Sequence, residues 1–196
     1  MAISEDILKN FLIKNGIPNF QLEKINSDAS FRNYYRILNK DLLIMHAPQN
    51  KGESLNNFIN VNKILKSIDL SVSTIYDVDY QNDLMLIEDF GDDIFSKIFN
   101  SENEENLYKE AIKLLSFIIN HKKLKISHLE KYSLDILINE SNLFIEWYLQ
   151  KDLSLKISDL QKEEFSIIIE EIYNSLNMKQ DDLVLRDFHV DNLIYL

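Results

Sequence analysis

The sequence predicts an α+β fold in which strands dominate the first half and helices the second. Three observations lead there. Short runs rich in Ile, Leu, Phe and Tyr fill residues 20–47 and return at 73–90. Only one helical pattern interrupts them. After Gly91 the apolar residues recur at helical spacing almost to the end of the chain. Segregated strands and helices point to α+β and away from a doubly wound sheet.

Each element has its own signal. Ile7, Phe11 and Leu12 place an amphipathic helix over residues 4–15, ended by Gly16 and Pro18. "FQLEKI", "NYYRIL" and "DLLIMHA" read as an antiparallel meander. A loop comes next, at Pro48, Asn50 and Gly52. "SLNNFINVNKILKSI" then carries Leu55, Phe58, Ile59, Asn62 and Leu65 at helical spacing. "STIYDVDY" and "DLMLIEDF" read as two more strands, turned at Gln81–Asp83.

In the second half, "SENEENLYKEAIKLLSFIIN" opens with Ser101 and Glu104, a capping-box pattern. "SLDILINESNLFIEWYLQ" reads as a second long helix, and "SDLQKEEFSIIIEEIYNSL" as a third with Ser158 and Gln161 as its cap. "LVLRDFHVDNLIYL" reads as a strand, a polar loop and the start of another strand. A five-stranded sheet with a helix after its third strand, then helices and a polar hairpin, is the layout of a protein-kinase-like bilobal fold. The boundary falls at residue 90, with a nucleotide-binding lobe over 1–90 and a helical lobe over 91–196.

Composition narrows the function classes. The net charge of −11 repels phosphate backbones, which argues against nucleic-acid binding and against an anionic membrane surface. The acidity also serves solubility. With no cysteine, a disulfide framework, a thiolate metal site and a cysteine nucleophile are excluded. "MAISEDILKN" lacks the basic and apolar regions of a signal peptide. No apolar run reaches the roughly 18 residues of a membrane span. A cytoplasmic protein is expected.

The chemistry concentrates in "LRDFHVDN". Phosphoryl transfer needs a carboxylate at the attacking hydroxyl, oxygen ligands for a metal on the triphosphate, and positive charge or backbone amides at the phosphates. A kinase catalytic loop places Asn five residues after its Asp, as Asp187 and Asn192 do here, with Arg186 before the Asp and Leu185 in the usual His place. Apolar residues on both sides would anchor the loop and leave its polar residues facing a cleft. The competing possibilities are a turn-forming Asp187 with a capping Asn192, and His189 with Asp191 as a fragment of a metal site. His46, His121 and His128 read as surface or satisfied residues.

With this loop, "SDASFRNYYRI", "LIMHAP", "LMLIEDFGD" and "ESNLFIEWYL" fall in the same order as in one family. The sequence resembles the aminoglycoside phosphotransferase and choline kinase-like family, in particular its bacterial cell-wall amino-sugar kinases, which phosphorylate N-acetylmuramate and N-acetylglucosamine with ATP. The resemblance implies ATP and Mg²⁺ as cofactors and a sugar or amino sugar as substrate. It implies Asp187 as catalytic base and Asn192 as a Mg²⁺ ligand. Asp28, Ala29 and Ser30 would lie over the ATP phosphates. Ile87, Glu88, Asp89 and Phe90 would form the hinge whose backbone reads adenine. Glu140 and Trp147 would border the sugar, although a lone Trp on an amphipathic helix also suits a core. Arg32 and Arg36 would reach phosphates or else line a strand's solvent face.

The chain departs from the family pattern in several places. Ser27 stands where the phosphate loop begins with Gly, Met45 where a protein kinase has Lys, and His46 where an acid is usual. Charge compensation at the phosphates would then fall to Arg32, Lys51 or the metal. The family's second metal-binding Asp and further helices come after the catalytic loop, and this sequence stops at Leu196. The expectation is therefore a chain lacking the C-terminal part, with an incomplete helical lobe, exposed apolar faces over 104–149, and weak or no activity. The alternatives are a non-catalytic nucleotide-binding remnant, or one half of a split kinase completed by a separately encoded C-terminal segment. A plain helical interaction protein would require the ordered motifs to be coincidence.

Overall fold

A computed structural model describes residues 3–25, 31–121, 124, 126–127, 129, 131–176 and 182–196. The chain divides into two compact units, Met1–Lys123 with Arg186–Leu196, and Leu124–Leu185.

The first unit is built on a five-stranded antiparallel sheet in the order β1-β2-β3-β5-β4. The strands are β1 (Leu22–Ile25), β2 (Asn33–Ile37), β3 (Leu42–His46), β4 (Ile75–Asp79) and β5 (Leu84–Glu88). All five expected strands form. β3 and β5 are central, and both of their faces are covered. Ile44, Leu84 and Leu86 pack with Leu8, Phe11 and Leu12 of helix α1 (Glu5–Lys14). Met45, Met85 and Ile87 pack with Leu55, Phe58 and Ile59 of helix α2 (Leu55–Lys66). Successive residues of a strand point to opposite faces, so a strand sandwiched this way must be apolar throughout. That is why "LLIM" and "LMLI" show no polar alternation.

α1 ends in a Schellman motif. The Gly16 N–H donates to Ile13 O and the Ile17 N–H to Leu12 O, with Gly16 at φ +74°. Ile17 and Leu12 are both buried in the same cluster. Asp77 on β4 accepts from Lys14 Nζ at 2.9 Å and from Asn15 Nδ2 at 3.0 Å, so the C-terminus of α1 is tied to the sheet edge.

Three helix and strand expectations need correction. Helix α4 (Glu104–Asn120) has Asn103 as its N-cap, not Ser101. Asn100 and Asn103 instead satisfy each other's backbone in a side-chain turn, which moves the helix start past Ser101. Residues 183–185 are not a strand. Nor do the last residues form a hairpin with them: Ile194 makes an isolated antiparallel bridge to Ile94, beside the short helix α3 (Phe95–Ile98).

The second unit holds α5 (Leu134–Leu143), a π-helix (Phe144–Asp152) and α6 (Asp159–Ser175). The long helix expected over 133–150 therefore changes winding at Phe144. Ser158 and Gln161 form the expected capping box of α6. Phe144 stacks on Phe165 of α6 at 6.4 Å, and Ile145 is buried. α6 has no buried residue, and its Leu160, Ile167, Ile168 and Ile172 are exposed.

His46 is neither on the surface nor satisfied. It is buried on β3, and its Nδ1 has no hydrogen-bond partner among the described residues. Burial lowers its pKa below the ordinary 6.5, against a smaller upward pull from Asp83. The unfolded imidazole takes up its proton first as pH falls, so stability is full above the ordinary value and is lost below it. One such site contributes at most about 1.4 kcal/mol per pH unit. Urea midpoints at about pH 7.5 and about pH 5.5 should therefore fall further for the wild type than for His46→Leu. Equal falls would show that His46 does not carry the effect.

Candidate active site

The described candidates in the first unit fall on the sheet, on the residues after β5 and on the terminal loop. The segment after β5 is held by side chains. Arg36 on β2 donates Nε to Asp89 Oδ2, Nη2 to Asp89 Oδ1 at 3.1 Å, and Nη1 to Asp92 Oδ2 at 2.7 Å. The Asp89 side chain is only 7% exposed. Asp89 also accepts from the Gly91 N–H at 2.9 Å, while Gly91 takes φ +84°, a turn that favours glycine. The bonds to Asp89 and Asp92 raise the Arg36 pKa, and the same guanidinium lowers that of Asp92.

The other expected hinge residues are equally committed. Ile87 is buried against Met45. The Glu88 carboxylate accepts from the Thr74 N–H at 2.9 Å, which holds its pKa below the ordinary value. Phe90 is half-buried. The backbone is also partly committed: the Glu88 N–H donates to Thr74 O at 2.9 Å and the Asp89 N–H to Asp41 O at 3.1 Å.

The terminal loop docks onto the stretch between β5 and α4. Phe95 N–H donates to Leu193 O, and Tyr195 N–H to Asp93 O, both at 2.9 Å. Phe188, Val190 and Leu193 pack against the buried Phe95, Leu107 and Ala111. The anchors are thus partly inside the loop, at positions between its polar residues, and not only the flanking runs expected from sequence. Asp187, His189, Asp191 and Asn192 are left exposed.

The loop is internally braced. Asn192 Nδ2 donates to Asp187 O at 2.9 Å and lies 3.2 Å from His189 Nε2. A carbonyl only accepts, so this contact fixes the amide with its nitrogen inward. Asn192 Oδ1 has no partner among the described residues. That oxygen suits Mg²⁺, which is commonly held by one or two protein oxygens plus substrate phosphates. Among the described residues, no group of three or more His, Asp or Glu side chains is arranged to hold a metal by itself.

The remaining candidates are scattered. Asp28, Ala29 and Ser30 lie outside the described residues. Arg32 donates Nε to Glu53 Oε2 at 2.7 Å. Burial draws its pKa down, but Tyr34 and Glu53 together hold it above the ordinary value. In the second unit, Glu140 accepts from the Tyr132 hydroxyl. Trp147 sits on the π-helix, well exposed, with Lys151 Nζ 3.3 Å from its ring centroid. Sequence reasoning missed the Arg36–Asp89–Asp92 cluster as a brace. Its one linear trace is the pair of acids flanking Gly91.

The fold is that of the aminoglycoside phosphotransferases. The phosphotransferase APH(2'')-Ib with ADP bound superposes with a TM-score of 0.62 at 17% identity, covering 98% of this chain and 67% of that one. The ternary complex of APH(2'')-IIa with streptomycin and ATP gives 0.57 at 16% identity, over 100% of this chain and 67% of that one. No family model matches the chain. Among curated relatives, the N-acetylmuramate/N-acetylglucosamine kinase of Pseudomonas putida is 30% identical over 181 residues, 91% of this chain and 52% of that protein. The proteins of the same name from Pseudomonas aeruginosa and Neisseria meningitidis serogroup B are 27% and 26% identical. The resemblance read from the motifs is thus borne out. The chain spans about half the length of the curated relatives it matches. Among the described residues no helix is long and apolar enough to cross a membrane.

Removing one partner of the part-buried Arg36–Asp89 pair leaves a charge without compensation. Asp89→Ala should cost about 2 kcal/mol in urea denaturation. Asp92→Ala, at a largely exposed carboxylate, should cost under about 1 kcal/mol. Arg36→Lys should also destabilise the chain, because an ammonium cannot span both carboxylates. Equal costs at Asp89 and Asp92 would contradict the brace.

Proposed function

We propose that the chain is an ATP-dependent phosphotransferase acting on a hydroxyl of an amino sugar. The observation that carries this is the placement of Asp187 and Asn192 on one braced loop, exposed and docked beside the segment after β5, in a fold shared with ATP- and ADP-bound phosphotransferases. The amino-sugar acceptor rests on the names of the curated relatives.

In this proposal, residues 1–90 hold the nucleotide and the backbone of Ile87–Phe90 reads adenine. Asp28, Ala29 and Ser30 cover the phosphates with backbone amides and a hydroxyl, and Arg32, held by Glu53, adds positive charge beside them. Asn192 Oδ1 would be a ligand for Mg²⁺, which would supply charge neutralisation at the phosphates. The Asp187 carboxylate orients the acceptor hydroxyl and takes its proton. Glu140 and Trp147 belong to the sugar side. Trp147 offers a stacking face opposite the one that carries Lys151.

One observation favours a second possibility, a nucleotide-binding half of a split kinase. Ile112, Phe117 and Ile119 on α4, and Leu160, Ile168 and Ile172 on α6, are exposed. The rest of the relatives' length, supplied by a second polypeptide in this possibility, would cover such surface; a longer chain would cover it equally.

Mg²⁺-ATP at a hundredfold excess over Kd should stabilise the chain by about 2.7 kcal/mol, read as a rise in Tm. Transfer from ATP to N-acetylglucosamine or N-acetylmuramate should fall about 10²–10⁴-fold in Asp187→Asn with that rise intact. Undiminished transfer in Asp187→Asn would refute the assignment of Asp187. A stabilised chain that transfers nothing would favour the split form.

A further inference from the structure

We propose that the cavity lined by α5, the π-helix and α6 binds an N-acylated sugar that carries a carboxylate, and that Lys162 reads the carboxylate. This rests on the amino-sugar acceptor proposed above. It goes beyond that reading to the side chains that hold the sugar and choose between its forms.

The cavity has a volume of about 250 Å³ and lies wholly within the second unit. Asn139 and Asn142 of α5, Ile145 and Glu146 of the π-helix and Lys162 of α6 line it. Sites for drug-sized ligands run to roughly 300–1,000 Å³, so this one suits a single sugar ring. Ile145 is buried and supplies an apolar surface. The other four residues are two neutral amides, a carboxylate and an ammonium.

These polar groups are not spent on one another. Glu146 and Lys162 carry opposite charges and line the same space. Yet neither side chain makes an ion pair or hydrogen bond among the described residues, and nor does that of Asn139. Asn142 Nδ2 reaches Ser166 Oγ at 3.4 Å, and Asn142 Oδ1 is buried with no partner among the described residues. Turning the amide over would only exchange an orphan oxygen for an orphan nitrogen. Buried polar atoms in native proteins nearly always have a partner. The contact to Ser166 is long, so it leaves the amide free to swing toward the cavity it lines. The change of winding at Phe144 falls between Asn142 and Glu146, two of the lining residues. Such changes concentrate at functional sites.

The groups specify the ligand. An amide oxygen without a partner calls for an N–H donor, which an N-acyl group supplies. Glu146 accepts from hydroxyls, and Asn139 can both donate and accept. An ammonium without a counter-ion calls for an anion. A sugar with hydroxyls, an N-acyl group and a carboxylate answers all four. N-acetylmuramate has that set, through its lactyl carboxylate, while N-acetylglucosamine lacks the carboxylate and leaves Lys162 unanswered. A free amino acid would answer Glu146 and Lys162 but leave both amides idle.

The test is isothermal titration calorimetry on the whole chain, with and without Mg²⁺ and a non-hydrolysable ATP analogue. Wild type should bind N-acetylmuramate about tenfold tighter than N-acetylglucosamine, the scale of one hydrogen bond to a charged group. Lys162→Gln should erase that difference by weakening N-acetylmuramate alone. Asn142→Leu should weaken both sugars about tenfold while Tm holds or rises, because it removes a buried polar atom that has no partner. If wild type binds neither sugar under either condition, the amino-sugar reading falls and the inference with it. If both sugars bind but neither variant changes them, the cavity is not the sugar site and the reading stands. Equal weakening of both sugars in Lys162→Gln would overturn the assignment of Lys162. Tighter binding of free alanine than of either sugar would assign the cavity to a zwitterion and overturn the proposal.

Discussion

The ion pair between Arg36 and Asp89 is the constraint on which the candidate site depends. Arg36 projects from β2, and Asp89 ends the run that begins as β5, so the guanidinium fastens the exit of the sheet to its interior strands. The next segment of the chain hangs from that exit: Gly91 turns the backbone, Asp93 and Phe95 pair with the terminal loop, and α3 and α4 supply the apolar floor beneath it. Two part-buried opposite charges with bidentate geometry hold direction as well as distance, which a hydrophobic contact does not. The position of Asp187 and Asn192 follows from this cluster together with the pairing of Asp93 and Phe95 with the terminal loop and its packing on Leu107 and Ala111.

The sheet itself owes its order to a different effect. Covering β3 and β5 on both faces removes two apolar strands from water at once, with α1 and α2 acting as opposite lids. The helices need no strong propensity for this, because tertiary burial of one face supplies most helical stability in a protein. Their ends are still specified locally, by the Schellman turn at Gly16 and by Ser4 and Ser54 as N-caps. The replacement of the usual strand-three lysine by Met45 fits the same picture. Met45 is fully buried against Met85 and Leu55 and serves as core.

The second unit obeys another logic. Its helices bury little, and its π-helix sets Phe144, Trp147 and Tyr148 largely in solvent. π-helical winding is uncommon and concentrates at functional sites. The stacking of Phe144 between Tyr148 and Phe165 gives a local reason for the change of winding, since it draws the wider turn toward α6.

Sequence alone determined the elements whose signal is local. Continuous apolar runs marked the sandwiched strands, Gly16 and Ser158 marked helix ends, and the spacing from Asp187 to Asn192 marked the loop. These arise from backbone sterics, periodicity and short-range hydrogen bonding, all of which lie within a few residues. The structure alone decided what depends on partners distant in the chain. Arg36 looked as ready for phosphate as for solvent until Asp89, far along the sequence, took its guanidinium. His46 looked exposed or satisfied until the sheet closed around it and left Nδ1 without a partner among the described residues. Residues 183–185 looked like a strand, but a strand needs a partner, and Ile94 took Ile194 instead. Charge pairing, burial and strand pairing are properties of neighbours in space, and no window along the chain contains them.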